Sequence, residues 1–230
     1  MEAIARTDPE EVPIHLAGGE EALGRAAGVG SSAAPLRRDL PGAEVLVLDL
    51  ETQRAFADVG GRIDRLGLSL AVVWSYQREE FTTYFEAEAA QLLDRLFAAE
   101  LVVGFNHERF DLEVLRPYAE GRPVERIRTF DLLADLTGRL GRRVSLESCC
   151  RATLGTSKAG DGLQAIEWWH AGRLDELEHY CREDVRLTRD LFDHGRAKGA
   201  IAVRKKDRSG SWYTASVPVD WSRKLPAIAS

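Results

Sequence analysis

Cysteine is scarce in this sequence: three residues, Cys149, Cys150 and Cys181, among 230. Their number is odd and no Cys-x-x-Cys spacing occurs, which excludes a disulfide framework and a thiolate zinc site. They read as small core residues of a protein kept in a reducing compartment, so a cytoplasmic location is expected. A basic surplus is missing as well. Lys and Arg number 31 against 37 Asp and Glu, a formal net charge of −6, so no overall field draws the chain to nucleic acid or to an anionic membrane. Contact with a polyanion must therefore be local or mediated by cations. No apolar run approaches the length of a membrane span, and no basic segment with an apolar core behind it opens the chain, so a soluble protein without a membrane partner is expected. Gly28 and Gly30 have no strand before them and no Gly-Lys-Ser/Thr after them, which removes a phosphate loop. His15, His170 and His194 have no metal-ligand spacing, and no internal repeat is present.

What is present suits one substantial domain: 44% hydrophobic and 30% charged residues are enough to build a core and to solvate its outside. Residues 1–42 are rich in Ala, Gly, Glu and Pro without sustained periodicity and read as a flexible arm, with a short helix around Glu20 to Ala27. Residues 43–199 carry the pattern of a folded domain. Strands are expected at Val45–Thr52, Leu66–Tyr76 and Phe81–Phe85, then a helix at Ala87–Ala99 and a short strand at Leu101–Phe105. A helix over His107–Tyr118, a fifth strand at Ile127–Leu132, and helices from Leu133 to about Gly195 with turns at Gly141 and Gly155–Gly162 complete it. Residues 200–230 read as a hairpin extension packed on the same domain and turning at Asp207–Gly210. The fold class is α/β: a five-stranded mixed sheet flanked by helices.

The stretch Val45-Leu46-Val47-Leu48-Asp49-Leu50-Glu51-Thr52 organises the rest. Side chains two apart on a strand share a face, so Asp49 and Glu51 stand side by side in a run otherwise dense enough to be buried on both faces. Either the strand ends there at a solvated edge, or something positive compensates the two carboxylates. Asn106-His107-Glu108-Arg109-Phe110-Asp111 follows the fourth strand, with Asn106 placed as an N-cap and Asp111 one turn into the helix, where an Asp also suits the helix dipole. On the long helix beginning near Arg173, Leu174, Leu177, Cys181, Val185, Thr188 and Phe192 form the expected buried stripe, and Tyr180 and Asp184 lie along its border.

Asp49-Leu50-Glu51-Thr52, Asn106 to Asp111, and Tyr180-Cys181-Arg182-Glu183-Asp184 together resemble the three motifs of the DEDD superfamily, the ribonuclease-H-like 3′-to-5′ exonucleases that include RNase D and polymerase proofreading domains. The resemblance spans roughly Ala43 to Gly195. It implies a metal-dependent exonuclease that releases nucleoside 5′-monophosphates from the 3′ end of single-stranded DNA or RNA. Two divalent ions, Mg²⁺ or Mn²⁺, would be held by Asp49, Glu51, Asp111 and Asp184, with Asp49 bridging both. Tyr180, a phenol with an ordinary pKa of about 10, would orient the attacking water. One branch of the superfamily uses such a Tyr; the other uses a His five positions before the last Asp, where His179 stands. At about 100° per residue, His179 is turned roughly 140° from Asp184 and Tyr180 only about 40°, which favours Tyr180 provided residue 179 is helical.

Weaker expectations concern substrate contacts. Thr52, Asn106, His107 and Arg109 flank the motifs and are expected to line the groove, and Lys158 in a Gly-containing loop is a candidate phosphate contact. Against that, Asp161 and Gln164 in the same region suit a capping box. Trp168 and Trp169 read as core before they read as base-stacking residues, and Arg204-Lys205-Lys206 as a solvated charge run. An endonuclease of the same fold and a non-catalytic adaptor are the alternative functions, and a helicase or polymerase is the expected kind of protein partner.

Overall fold

A computed structural model describes residues 44–156, 162–206, 209 and 211–224. The arm at 1–42 with its short helix, the loop carrying Lys158 and Asp161, and the tip of the hairpin at 207, 208 and 210 lie outside the described residues. Five strands, β1 (Val45–Thr52), β2 (Leu68–Ser75), β3 (Glu80–Phe85), β4 (Leu101–Gly104) and β5 (Thr129–Asp131), form one sheet in the order β3-β2-β1-β4-β5. β1 is central, antiparallel to β2 and parallel to β4, so the sheet is mixed. The helices are α1 (Ala89–Ala98), α2 (Asp111–Leu115), α3 (Leu132–Leu140), α4 (Leu146–Leu154), α5 (Gly162–His170) and α6 (Leu174–Lys198). Among them no helix is long and apolar enough to cross a membrane.

The period-two pattern of β1 divides two cores. Leu46, Leu48 and Leu50 pack with Leu92, Leu93 and Leu96 of α1 on one face. Val45 and Val47 pack with Leu70, Val72 and Val103 on the other, beneath α6. Each Val or Leu so buried contributes on the order of 1.5–3 kcal/mol, and this fixes the strand's register. Asp49 and Glu51 continue the α6 face, opposite Val72 and Leu70 of β2. On the other side, pairing of β1 with β4 ends at Val47–Val103. β1 thus outruns β4, and its carboxylates stand where the sheet opens.

β4 stops because the chain folds back under itself. A Cβ on Gly104 would stand 2.6 Å from Cγ of His107, and Asn106 takes φ +71°, a left-handed conformation uncommon outside glycine and best tolerated by Asn and Asp. The expected helix over His107–Tyr118 is therefore a turn through 106–110, the five-residue α2, and a 3₁₀ turn at Arg116–Ala119. Asn106 is not its cap: Phe110 occupies that position without a side-chain cap, and Asp111 is the first residue of α2. The fifth strand is also shorter than expected, because Asp131 already caps α3, accepting from Leu133 N at 2.9 Å and Ala134 N at 3.2 Å.

α6 runs 25 residues and buries Leu177, Tyr180, Cys181, Asp184, Val185 and further residues down to Gly195. Its far end is clamped. Trp221 is fully buried, with its ring where a Cβ on Gly195 would stand 2.1 Å away, and its indole N–H donates to Asp135 Oδ2 at 2.8 Å. The hairpin of β6 (Ala200–Lys206) and β7 (Trp212–Pro218) rests on α4 and α6 through Ile201 and Val203, and Thr153 Oγ1 both donates to Ala202 O and accepts from Ala202 N.

Candidate metal centre and active site

Where β1 outruns β4, a cavity of about 470 Å³ opens between the strand end, the 106–110 turn, α5 and α6. Its lining brings together Asp49, Glu51, Asp111, Asp184 and Tyr180, with Thr52, Asn106 and one cationic side chain, Arg54, beside them. Three separate segments supply the four carboxylates and Tyr180: β1 its alternating face, α2 its first residue, directly after the turn, and α6 two residues one helical turn apart. Asp111 and Asp184 are buried, at 3% and 4% exposure, while Asp49 and Glu51 are half-buried. Of the two alternatives read from β1, the structure shows the strand end: pairing with β4 stops at Val47, and Asp49 and Glu51 face the cavity beyond it.

Burial decides the electrostatics of Asp111. Loss of hydration pushes its carboxyl from 3.8 up to about 8; backbone N–H groups of Asp111 and Leu50 oppose this, and the nearby Asp131 adds to it. Its Oδ1 is buried with no hydrogen-bond partner among the described residues. An orphaned acceptor inside a ring of carboxylates is what a cation would satisfy. Carboxylate oxygens as the donor set suit a hard divalent ion, so the residues present fit Mg²⁺ or Mn²⁺. Cys181 also reaches the cluster: a ligand atom from each of Asp49, Glu51 and Cys181 falls within 4.8 Å of the others. Burial raises its thiol well above the usual value, and the charges of Asp49, Glu51 and Asp184 raise it further. A thiol kept protonated in this way is a donor, and its Sγ lies 3.4 Å from Asp49 O and 3.7 Å from Asp49 Oδ2.

Tyr180 is held from behind by Trp168 of α5, edge-on at 5.8 Å between ring centroids. Trp168 and Trp169 are partly buried against the core. His179 is helical and exposed on α6, outside the cavity wall. Thr52 and Asn106 line the cavity as expected; Thr52 Oγ1 donates to Arg54 O, and Asn106 Oδ1 accepts from Arg143 Nη2 at 2.9 Å. His107 does not line it. Its side chain is fully buried beneath β4, 3.7 Å from Asp131 Oδ2, and burial lowers its pKa against the opposing pull of Asp131 and Glu108. The polar look of the motif hid a packing residue.

Sequence reasoning missed three contributors. Asp131 accepts from Asn106 N at 2.8 Å and Glu108 N at 3.1 Å besides capping α3, and so ties the 106–110 turn to the sheet. An Asp at a strand end followed by a helical run is a readable capping signal. Phe56 and Leu163, 50% and 66% exposed, give the cavity an apolar rim. Nothing local marks them.

A mixed sheet in this strand order, with an acidic cavity at the end of its central strand, defines the class of ribonuclease-H-like α/β domains. The chain belongs to the RNase H superfamily, whose family model matches residues 47–195. No curated protein matches the sequence. In fold it is similar to the family B DNA polymerase from the hyperthermophilic archaeon Pyrobaculum calidifontis, with a TM-score of 0.50 and 17% identity, covering 81% of this chain. This chain spans 28% of the length of that polymerase.

Proposed function

We infer that the protein is a metal-dependent 3′-to-5′ exonuclease of the DEDD type with tyrosine in its third motif, acting on single-stranded nucleic acid. The observation that carries this reading is the convergence of Asp49, Glu51, Asp111, Asp184 and Tyr180 on one cavity from three segments. Asp49, Glu51, Asp111 and Asp184 would hold two divalent ions. When bound, these ions supply the Lewis acidity that eases deprotonation of a water and the charge that stabilises the leaving oxygen. Tyr180, against which Trp168 packs edge-on, would orient the attacking water. The Cys181 thiol donates toward Asp49 and steadies the strand end. Phe56 and Leu163 offer apolar surface to an unpaired terminal base. Membership of the RNase H superfamily supports nucleic acid as the substrate, and a polymerase or helicase is the kind of protein partner this reading would have.

The test is digestion of 5′-labelled single-stranded DNA and RNA with Mg²⁺, Mn²⁺ or EDTA, with Asp49→Ala as control. A metal-dependent ladder shortening from the 3′ end, absent in the variant, is expected. Cleavage of a closed single-stranded circle would replace this reading with an endonuclease, and intact substrates under every metal condition with a non-catalytic adaptor.

A further inference from the structure

Beside the acidic cavity lies a second cleft of about 190 Å³, lined by Asn106, Arg109, Asp131, Ala134, Thr137 and Arg143 together with Leu133. Its charge is opposite in character to its neighbour's. Arg109 and Arg143 are exposed and make no ion pair among the described residues. Many of the other arginines meet carboxylates, as Arg95 does with Glu44, Arg139 with Asp135 and Asp220, and Arg186 with Glu183 and Asp190, whereas this cleft holds two that do not. With acids in excess over the whole chain, two guanidinium groups without carboxylate partners in one cleft leave their charge available to a ligand. The one carboxylate there, Asp131, is engaged by the backbone N–H groups of Asn106, Glu108, Leu133 and Ala134. The Thr137 hydroxyl is buried there with no hydrogen-bond partner among the described residues. The cleft thus offers two forked cationic donors and a free hydroxyl, the chemistry of a phosphate site.

Asn106 joins the two spaces. It lines both, and its amide oxygen accepts from Arg143 at 2.9 Å. We propose that the Arg109–Arg143 cleft binds a non-scissile backbone phosphate of the strand whose 3′ end occupies the acidic cavity. This rests on the nuclease reading and deepens it. An acidic protein gains the local cation its substrate needs without a basic surface, and the anchored strand is presented to the carboxylates at a fixed distance. Such a contact carries no base information, so it holds strands of any sequence.

The experiment uses the full chain, with Arg109→Gln and the Arg109→Gln/Arg143→Gln double variant, and Arg128→Gln as a control for loss of an exposed charge paired elsewhere, with Glu100. Binding of fluorescein-labelled dT12 and rU12 is measured in EDTA between 50 and 200 mM salt. Loss of one phosphate contact lowers the slope of log affinity on log salt by about 0.7; the full drop is expected for the double variant, part of it for Arg109→Gln, and none for Arg128→Gln. In Mg²⁺ or Mn²⁺, the double variant is expected to lose about tenfold more kcat/KM on the 12-mer than on a dinucleotide too short to reach the cleft. An unchanged salt slope, or equal losses on both substrates, overturns the proposal while leaving the exonuclease standing. A wild-type protein that binds strands with the cleft-dependent slope but cleaves none overturns the exonuclease and leaves the phosphate site standing.

Discussion

Asp111 and Asp131 stand on either side of the turn through 106–110, both buried, at 3% and 4% exposure, and the fold treats them in opposite ways. Asp131 receives four backbone N–H groups from two segments, so its charge is met by dipoles that are already part of the structure. Asp111, one end of the same turn, has an oxygen with no partner among the described residues and holds its proton up to about 8. A carboxylate met by the protein is structural; one left unmet beside three other carboxylates is prepared for something that arrives from outside. The two are also linked, because the turn that presents Asp111 is fixed by Asp131.

The sharpest way to separate them is by substitution. Asp111→Asn keeps shape and removes charge, so hydrolysis is expected to fall by at least about 10³-fold, roughly 4 kcal/mol of transition-state stabilisation, with the melting temperature not lowered. A comparable loss of folded protein in circular dichroism would undo the distinction. The pH dependence of the metal-free protein comes next. Below about 4 folded and unfolded chains both keep the Asp111 proton; from there to about 8 only the folded chain keeps it. Stability in EDTA should therefore decline as pH rises across that window, by up to about 1.4 kcal/mol per pH unit, and level off above it. Denaturant titrations from pH 5 to 8.5 read the slope, which saturating Mg²⁺ or Asp111→Asn should flatten.

Asp131→Ala is the reciprocal experiment. It strands buried N–H groups on both the turn and α3, and a loss of about 3 kcal/mol in urea unfolding is expected, with activity reduced because Asp111 is no longer held in place. Unchanged stability would mean that water replaces the carboxylate and that the turn does not depend on it. The smallest effect belongs to Gly104→Ala. The new methyl would press on His107 at 2.6 Å, costing about 1–3 kcal/mol in urea unfolding, and a His107→Ala/Gly104→Ala variant less destabilised than the two single losses added together would assign that cost to this contact.

Much of this was legible in the residues. β1 spans Val45–Thr52 as its alternation indicates, because burial on both faces leaves a strand little freedom of register. The stripe of α6 was plain from Leu177 onward and placed Tyr180 and Asp184 together; its expected first member, Leu174, is exposed because the first turn of the helix lies beyond the edge of the core. The turn after β4 was not legible. Asn106 looks like a cap and His107 like a groove residue when only neighbours in sequence are considered; the determining contacts come from Asp131 and from the missing side chain of Gly104, which sequence proximity does not reveal. Arg143 reaches Asn106 across 37 positions, and no local pattern encodes such a pairing.

The edge-on contact of Trp168 with Tyr180, with the Arg173 guanidinium 5.9 Å from the indole ring, has an optical consequence. An indole is sensitive to charge in its surroundings, and this one touches the only aromatic side chain in the acidic wall's third motif. Filling the cavity with cations or with a strand changes the field at that ring, so the emission of Trp168 is a dye already installed at the site. Difference spectra between the wild type and Trp168→Phe would isolate its signal from the other tryptophans and follow occupancy in real time, before any bond is broken.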